Sequence, residues 1–238
     1  MIGCECKVCR SLDYRDKRLR SSVHLAVDGK SFVIDTGPDF RQQMLREDIK
    51  RLDAVIFTHS HKDHIAGLDD VRAYNFLQKM DMPVYGQKNV LEQLRNEFHY
   101  AFETQRYPGI PQLDLTEIKD EAFEAAGVTF TPLPVMHLNM YVLGFRIQDF
   151  SYITDSNFIP KETLYKMQGT KVLVLNALQR EKHVSHFNLQ EAIAMAQQIG
   201  ANQTYFTHIS HKLGLHKQVE NELPPTIGLA YDGLSVTL

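Results

Sequence analysis

The stretch THSHKDHIAG, residues 58–67, places three histidines and an aspartate within six positions. The apolar run DAVIF, residues 53–57, comes directly before it and is typical of a short strand buried on both faces. We therefore predict a loop that leaves the end of a buried strand with four side chains of metal-ligand type, which are His59, His61, Asp63 and His64.

The spacing within this loop favours two ions over one. Residues two apart can point to the same side, so His59 and His61 can converge on one ion. Asp63 and His64 then turn towards a neighbouring metal position. A single ion would leave some of these four side chains without a metal to bind. We therefore interpret the cluster as a metal centre and not as surface polarity.

Three further ligand candidates follow predicted strands elsewhere in the chain. His137 comes after FTPLPVM, Asp155 after FSYIT and His208 after QTYFT. Each of these side chains could project from the same sheet edge as His59. With these three residues the candidate ligands suffice for two sites.

The rest of the chain predicts one compact α/β domain over residues 1–238. Residues 22–35 predict a β-hairpin that turns at Asp28-Gly29. Helical and strand patterns are interleaved, but several strands adjoin each other directly, so we expect mixed sheets covered by helices. The predicted helices lie in residues 38–47, 67–79, 88–102 and 188–200, and the further strands in residues 82–86, 127–135, 140–147, 150–155 and 171–177.

Composition excludes several classes of protein. With 238 residues, 43% of them hydrophobic, the chain can bury a full core without disulfides. The 26 Lys and Arg against 29 Asp and Glu give a net charge of −3, which argues against long nucleic acid as a partner. No apolar run approaches the roughly 20 residues that span a bilayer, and residues 1–20 lack the apolar centre of a signal peptide. We expect a cytoplasmic protein without a membrane partner.

The three cysteines of the chain, Cys4, Cys6 and Cys9, all lie in its first nine residues. Their number is odd and their spacing is too close for an ordinary disulfide framework, which favours a metal. His211 lies three residues after His208 and offers the fourth ligand of a tetrahedral Cys₃His zinc site. We predict a structural zinc that ties a cysteine-rich loop, residues 1–12, to the loop after His208.

The motif THSHKDH, followed by His137, Asp155 and His208, resembles the metallo-β-lactamase superfamily. That resemblance implies an αββα sandwich of two mixed β-sheets flanked by helices, with two metal ions, Zn²⁺ or Mn²⁺, in the active site. Asp35 resembles the aspartate that supports the histidine loop from a neighbouring strand. The resemblance assigns one ion to His59, His61 and His137, the other to Asp63, His64 and His208, and a bridging role to Asp155.

The cysteine motif and His211 together resemble one branch of that superfamily, the ribonuclease-Z-like cyclic phosphodiesterases of the bacterial phosphonate-degradation (carbon-phosphorus lyase) pathway. His186 immediately precedes a helical pattern that Asn188 could cap, so its imidazole lies near a helix N-terminus where an anion is favoured. The resemblance implies that His186 contacts the phosphate and donates a proton. His183, nearby, carries a weaker signal of the same kind.

The resemblance to this branch implies a dinuclear phosphodiesterase that hydrolyses a small phosphodiester, cyclic or linear, with a hydroxide that bridges the ions. A bound divalent cation can lower the pKa of water to about 7. Asp63 would orient the hydroxide and His186 would protonate the leaving group. A homodimer is an open alternative to a monomer.

Three alternatives remain open. A tRNA 3′-processing ribonuclease would usually carry a long basic arm, and residues 65–137 show only ordinary helix and strand patterns. A glyoxalase-II-type thioesterase gives no reason for the cysteine cluster. A non-catalytic metal-binding module would be expected to have lost some ligands, whereas every position is filled here.

The N-terminus departs from the pattern of the resembled branch. Its members usually begin with a further β-strand and a Gly-rich turn, whereas the cysteine segment here begins at Met1-Ile-Gly-Cys4. Either the chain start is internal to the natural protein or another segment covers the sheet edge that a missing strand would expose.

Overall fold

The computed structural model describes residues 1–103 and 108–238, which form two compact units. The continuous unit is Arg20–Phe130, and the discontinuous unit joins Met1–Leu19 to Thr131–Leu238. A single domain over residues 1–238 stays a prediction.

The continuous unit contains a five-stranded sheet in the order β1-β2-β3-β4-β5. Its strands are β1 (Val23–Val27), β2 (Lys30–Ile34), β3 (Ala54–Ile56), β4 (Met82–Gly86) and β5 (Leu113–Glu117). The first two strands are antiparallel and all other neighbours are parallel. Asp28 and Gly29 turn the predicted hairpin with φ values of 50° and 71°, as a two-residue hairpin loop requires. The hairpin is therefore confirmed.

The helices of the continuous unit are shorter than the patterns predicted. They are α1 (Phe40–Arg46), α2 (Lys62–Ile65), α3 (Arg72–Gln78) and α4 (Lys88–Glu97). The helix predicted for residues 67–79 is divided, because a 3₁₀ turn at Leu68–Val71 precedes α3. The helix predicted for residues 88–102 ends at Glu97, and a 3₁₀ turn at His99–Phe102 follows it.

The core of the continuous unit lies between α1, α4 and the central strands. Phe40 from α1 and Leu94 from α4 are buried with Val55 of β3 and Val84 of β4. Burial of such side chains stabilises the unit by about 1.5–3 kcal/mol for each of them. This core fixes the end of β3, from which the histidine loop departs.

The second sheet has the order β12-β11-β10-β9-β8-β7-β6. Its strands are β6 (Phe123–Ala125), β7 (Val128–His137), β8 (Met140–Ile147), β9 (Phe150–Ile153), β10 (Val172–Asn176), β11 (Gln203–Thr207) and β12 (Ile227–Leu229). The strands from β9 to β12 run parallel, whereas β6 to β9 are antiparallel neighbours. Strand β6 pairs with the first residues of β7, within the continuous unit.

The discontinuous unit packs its helices on this sheet. These helices are α5 (Lys161–Lys166), α6 (Leu189–Ile199) and α7 (His216–Glu220), and a 3₁₀ turn lies at Tyr14–Asp16. Asn188 and Glu191 form a capping box at the start of α6, and Gly200 ends this helix with φ 70°. The predicted cap and the predicted stop are both confirmed. Leu189, Ala192 and Ala196 are the buried face of α6.

The direction of the strands places three predicted ligands on one edge of the second sheet. Strand β7 runs parallel to β9, because β8 is antiparallel to both, and β11 runs parallel to β9 through β10. His137 ends β7, His208 directly follows β11, and Asp155 lies two residues after the end of β9. All three residues therefore lie at the carboxyl ends of parallel strands.

Two mixed sheets flanked by helices confirm the predicted fold class. Within residues 1–103 and 108–238, no helix has the length and apolar character that a bilayer crossing needs.

Candidate metal centre

A buried carboxylate, that of Asp35, holds the histidine loop of the continuous unit in place. Asp35 directly follows β2, and its Oδ2 atom lies 2.8 Å from Nδ1 of His64. Both side chains have no exposed surface. A carboxylate that accepts from Nδ1 leaves the lone pair of the other ring nitrogen, Nε2, for a metal. Asp35 thus occupies the supporting position that the family resemblance implies.

The same carboxylate also orients His59 through Thr58. Thr58 donates to Asp35 twice, from its backbone N–H at 2.9 Å and from Oγ1 at 2.7 Å. Because the hydroxyl proton is committed to Asp35, Oγ1 accepts from Nδ1 of His59 at 2.9 Å. His59 therefore also presents Nε2 as a lone pair, so one buried aspartate prepares two imidazoles to bind a divalent ion.

His61 and Asp63 complete a compact cluster in this unit. The ring centroid of His59 lies 4.7 Å from that of His61 and 4.2 Å from that of His64. An Oδ2 atom of Asp63 lies 3.6 Å from Nε2 of His64. Neutral imidazoles beside one carboxylate are a donor set that suits Zn²⁺ or Mn²⁺.

Two glycines hold the loop in place by backbone contact. A Cβ atom on Gly37 would clash with the carbonyl oxygen of Asp63, and one on Gly67 would clash with the carbonyl oxygen of Gly37. The N–H of Gly67 donates to the carbonyl of Thr36 at 2.8 Å. The turn after β2 therefore packs directly against the backbone of the metal motif.

The discontinuous unit contains a second cluster at the carboxyl ends of its strands. The Asp155 carboxylate lies 3.1 Å from Nε2 of His208 and 3.5 Å from Nε2 of His186. The ring of His186 stacks on His208 with centroids 5.0 Å apart and lies 4.6 Å from the ring of His137. The ligand atoms of Asp155, His186 and His208 all lie within 4.8 Å of one another, a spacing that could hold an ion.

Hydrogen bonds orient this cluster as well. His137 Nδ1 donates to the carbonyl oxygen of Ser185 at 2.8 Å, which leaves Nε2 as its lone pair. Thr154 Oγ1 donates to Asp155 at 2.7 Å. The tautomer of His137 and the orientation of the aspartate are therefore both set by neighbours that are not ligands.

Three residues of these clusters have left-handed backbone conformations. The φ values are 65° for Asp35, 51° for Asp155 and 53° for His208. Few residues other than glycine adopt this region, and such strain concentrates at functional sites. Nothing in the sequence pattern marked this conformation at these positions.

A third cluster joins the N-terminal cysteines to His211 within the discontinuous unit. The ligand atoms of Cys4, Cys6, Cys9 and His211 all lie within 4.8 Å of one another. Nδ1 of His211 is 3.4 Å from the sulfur of Cys4 and 3.4 Å from that of Cys6. The N–H of Cys9, and then the His211 ring, lower the pKa of Cys6 to about 6. Because the thiolate is the ligand form, this donor set fits the predicted tetrahedral zinc.

Each predicted site residue thus lies in a cluster within its own unit. The assignment of ligands to two particular ions draws on both units and stays a prediction, as does the structural zinc. His183 was not among the predicted site residues, although its Nδ1 lies 3.2 Å from Nδ1 of His186. The H-x-x-H spacing from His183 to His186 was the available signal.

The remaining histidines have structural or surface positions, as expected. His24 Nε2 lies 2.9 Å from the Ser31 hydroxyl, and His99 is exposed. His216 is buried between Arg18 and Glu220. Burial lowers the pKa of His216, although the Glu220 carboxylate opposes that effect.

Comparison with known proteins identifies the class. Residues 30–209 match the β-lactamase superfamily domain, so the chain belongs to this superfamily and has the metallo-β-lactamase fold. A crystal structure of a diphosphatase from the PhnP family is similar over the whole chain. Its TM-score is 0.93 with 39% identity, and the match covers 100% of this chain and 91% of that one.

Three curated relatives extend the comparison. An octanoyltransferase of Porphyromonas gingivalis is 40% identical over 240 residues, which are 100% of this chain and 48% of that protein. The chain therefore spans about half the length of this relative. The probable metallo-hydrolase YhfI of Bacillus subtilis is 28% identical over 189 residues, 73% of this chain and 72% of that protein. Ribonuclease Z proteins, such as that of Mycobacterium sp. (strain KMS), match at 24% identity over 223 residues.

Proposed function

We propose that the chain is a dinuclear metal-dependent phosphodiesterase that acts on a small substrate and not on long nucleic acid. One observation carries this proposal. Nε2 of His186, a residue outside the predicted ligand sets, lies 3.5 Å from the Asp155 carboxylate, which is itself 3.1 Å from Nε2 of His208. A proton donor beside a predicted bridging ligand is what the departure of an alkoxide requires.

Two divalent ions, Zn²⁺ or Mn²⁺, would supply a hydroxide nucleophile and positive charge at the phosphoryl oxygens. The proposed ligands are His59, His61 and His137 for one ion, Asp63, His64 and His208 for the other, and Asp155 between them. The prepared Nε2 lone pairs of His59, His64 and His137 support this assignment.

The chain's own residues would handle the protons. Asp63 is about half exposed at the edge of its cluster, where it can orient the attacking hydroxide. His186, which is buried, would give a proton to the leaving oxygen. A general acid of this kind typically contributes about 10²- to 10⁴-fold in rate.

The similarity to a diphosphatase bears on the substrate class. A diphosphate linkage and a phosphodiester are both cleaved by attack at phosphorus with an oxygen leaving group. We therefore extend the proposal to small diphosphate linkages. At 39% identity over the whole chain, the diphosphatase supports a small phosphorus substrate more strongly than the ribonuclease Z proteins support an RNA substrate, since those are 24–28% identical over 38–81% of the chain.

The other candidates have less support. Thioester hydrolysis gives no role to His186 or to the cluster of Cys4, Cys6, Cys9 and His211. Octanoyl transfer belongs to a relative twice as long, of which the chain spans 48%. A non-catalytic module would need no buried histidine directed at Asp155.

Metal analysis together with a substrate screen tests the proposal. We expect two catalytic ions per chain and hydrolysis of small phosphodiesters or diphosphates. Asp155→Ala should abolish activity and weaken the binding of both ions, since a bridging carboxylate would be a ligand of each of them. Asp149→Ala removes a half-exposed carboxylate paired with Lys171 and serves as the matched control. Hydrolysis of thioesters or tRNA alone, with no small phosphorus substrate cleaved, would contradict the proposal. The cytoplasmic location and the oligomeric state are separate predictions.

A further inference from the structure

His183 lies against His186 in the segment between β10 and α6. The Nδ1 atoms of the two rings are 3.2 Å apart, and the ring planes cross at 63°. Ser185 lies beside both nitrogens, since its Oγ atom is 3.0 Å from Nδ1 of His186 and 3.4 Å from Nδ1 of His183. His183 has no role in the mechanism proposed above.

The backbone determines which nitrogen carries the proton. The N–H of Ser185 points at Nδ1 of His183 from 3.4 Å, and a backbone N–H can only donate. Nδ1 of His183 is therefore a lone pair. Two lone pairs 3.2 Å apart would repel, so His186 must carry a proton on Nδ1 and donate it to His183.

This arrangement leaves the second nitrogen of His186 for chemistry. Its Nε2 atom is buried and makes no hydrogen bond within residues 1–103 and 108–238. It lies 3.5 Å from the Asp155 carboxylate. A proton on Nε2 can then leave without any rearrangement, because the remaining neutral ring already has its proton on Nδ1.

We propose that His183 is a positioning residue, which holds His186 in the Nδ1–H tautomer so that Nε2 carries the proton given to the leaving group. This inference rests on the proposed function of His186. Without His183, the neutral ring could place its only proton on Nε2, where it is a far weaker acid than an imidazolium. A hydrogen-bond partner that fixes a histidine tautomer is a recurring device in acid–base catalysis.

The tautomer can be measured directly. We would record long-range ¹H–¹⁵N spectra of the zinc-loaded protein at a pH where the His186 ring is neutral. The wild type and His183→Asn, whose side-chain oxygen can still accept at the Nδ1 position, should show a proton on Nδ1. His183→Leu should move it to Nε2. A wild-type proton on Nε2, or no change in His183→Leu, would overturn the proposal whether or not a substrate is known.

A leaving-group series gives the second readout. With methyl aryl phosphodiesters, His183→Leu should lose about 10- to 100-fold in rate for a phenyl leaving group and under about threefold for nitrophenyl. In a His186→Ala background the same change should have no further effect, because His183 acts through His186. Val184→Ala, at an exposed neighbour, is the control.

Different results would overturn the role of His183 and the proposed phosphodiesterase function. An equal loss across the series, or an additive loss in the His186→Ala background, would overturn the role of His183 while leaving the phosphodiesterase in place. A wild type that cleaves no small phosphodiester or diphosphate would overturn the proposed function, and the spectra would still decide the tautomer.

Discussion

His64 and Asp35 share a hydrogen bond of 2.8 Å in a place where neither side chain is exposed to solvent. The same carboxylate accepts from Thr58, which in turn orients His59. Asp35 therefore orients two imidazoles that we propose as ligands of different ions, although it is not itself among the proposed ligands.

Replacement of Asp35 by Asn should weaken metal binding by about 10- to 100-fold, as the loss of such supporting partners typically does. An Asn side chain has one accepting oxygen, whereas Asp35 uses both of its oxygens to accept from Thr58 and His64. Competition with a chelator would measure the affinity. Asp53→Asn is the control, since Asp53 is also buried but bonds Arg51 and Ser31 away from the cluster. Equal metal affinity in the two variants would contradict the role of Asp35.

Substitution of Gly37 by Ala should displace the metal motif. A Cβ atom there would meet the carbonyl oxygen of Asp63, which is backbone and cannot swing away. We expect the free energy of unfolding to fall by about 1–3 kcal/mol, together with metal content. Gly86→Ala is the control, because its nearest contact, at 3.2 Å, is the mobile end of the Leu91 side chain. Unchanged metal content in Gly37→Ala would show that the motif does not depend on this packing.

Replacement of Cys6 by Ser should remove about one zinc per chain and lower the melting temperature, because a structural zinc contributes directly to folding. His211→Ala should have the same effect, since its ring contacts the sulfur of Cys6 at 3.4 Å. His99→Ala, at an exposed position, should change neither quantity. If zinc content were the same in all three variants, these residues would not hold a structural ion.

Stability should depend on pH through His216. Arg18 can only donate, so Nδ1 of His216 accepts from it at 3.2 Å, and Nε2 faces Glu220 at 3.2 Å. Burial lowers the pKa of His216 below its ordinary value of about 6.5. The unfolded chain therefore binds the proton first as the pH falls, and the free energy of unfolding decreases below about pH 6.5.

His216→Gln should flatten that decrease between about pH 7.5 and 5.5, measured by urea unfolding with metal in excess. His24 and His183 also have lowered pKa values caused first by burial, so part of the slope should remain. His99→Gln is the control. The same slope in His216→Gln and wild type would mean that His216 is not a titrating group in this range.

Local sequence was sufficient for the elements whose determinants lie within a few residues. The pattern H-x-H-x-D-H, the Asp28-Gly29 turn, the Asn188 cap and the Gly200 stop all depend on neighbours along the chain, and the turn, the cap and the stop are confirmed. The strands β5, β6 and β12 were not predicted, because their segments LDLTE, FEA and IGL contain no continuous apolar run of the kind that marked β3 and β10. Helix α2 was not predicted because four residues are too few to show a helical period.

By itself, the sequence determined the fold class, the superfamily and the positions of the candidate ligands, because strand ends and closely spaced histidines are local patterns. Only the tertiary structure decided which nitrogen His59, His64, His137 and His186 present. The position of the proton on a histidine ring depends on its hydrogen-bond partners. Some partners are far apart in sequence: Asp35 and His64 are separated by 29 residues, and Arg18 and His216 by 198. The left-handed backbone conformations of Asp155 and His208 were likewise decided by the tertiary structure, since only surrounding packing can hold a strained backbone in place.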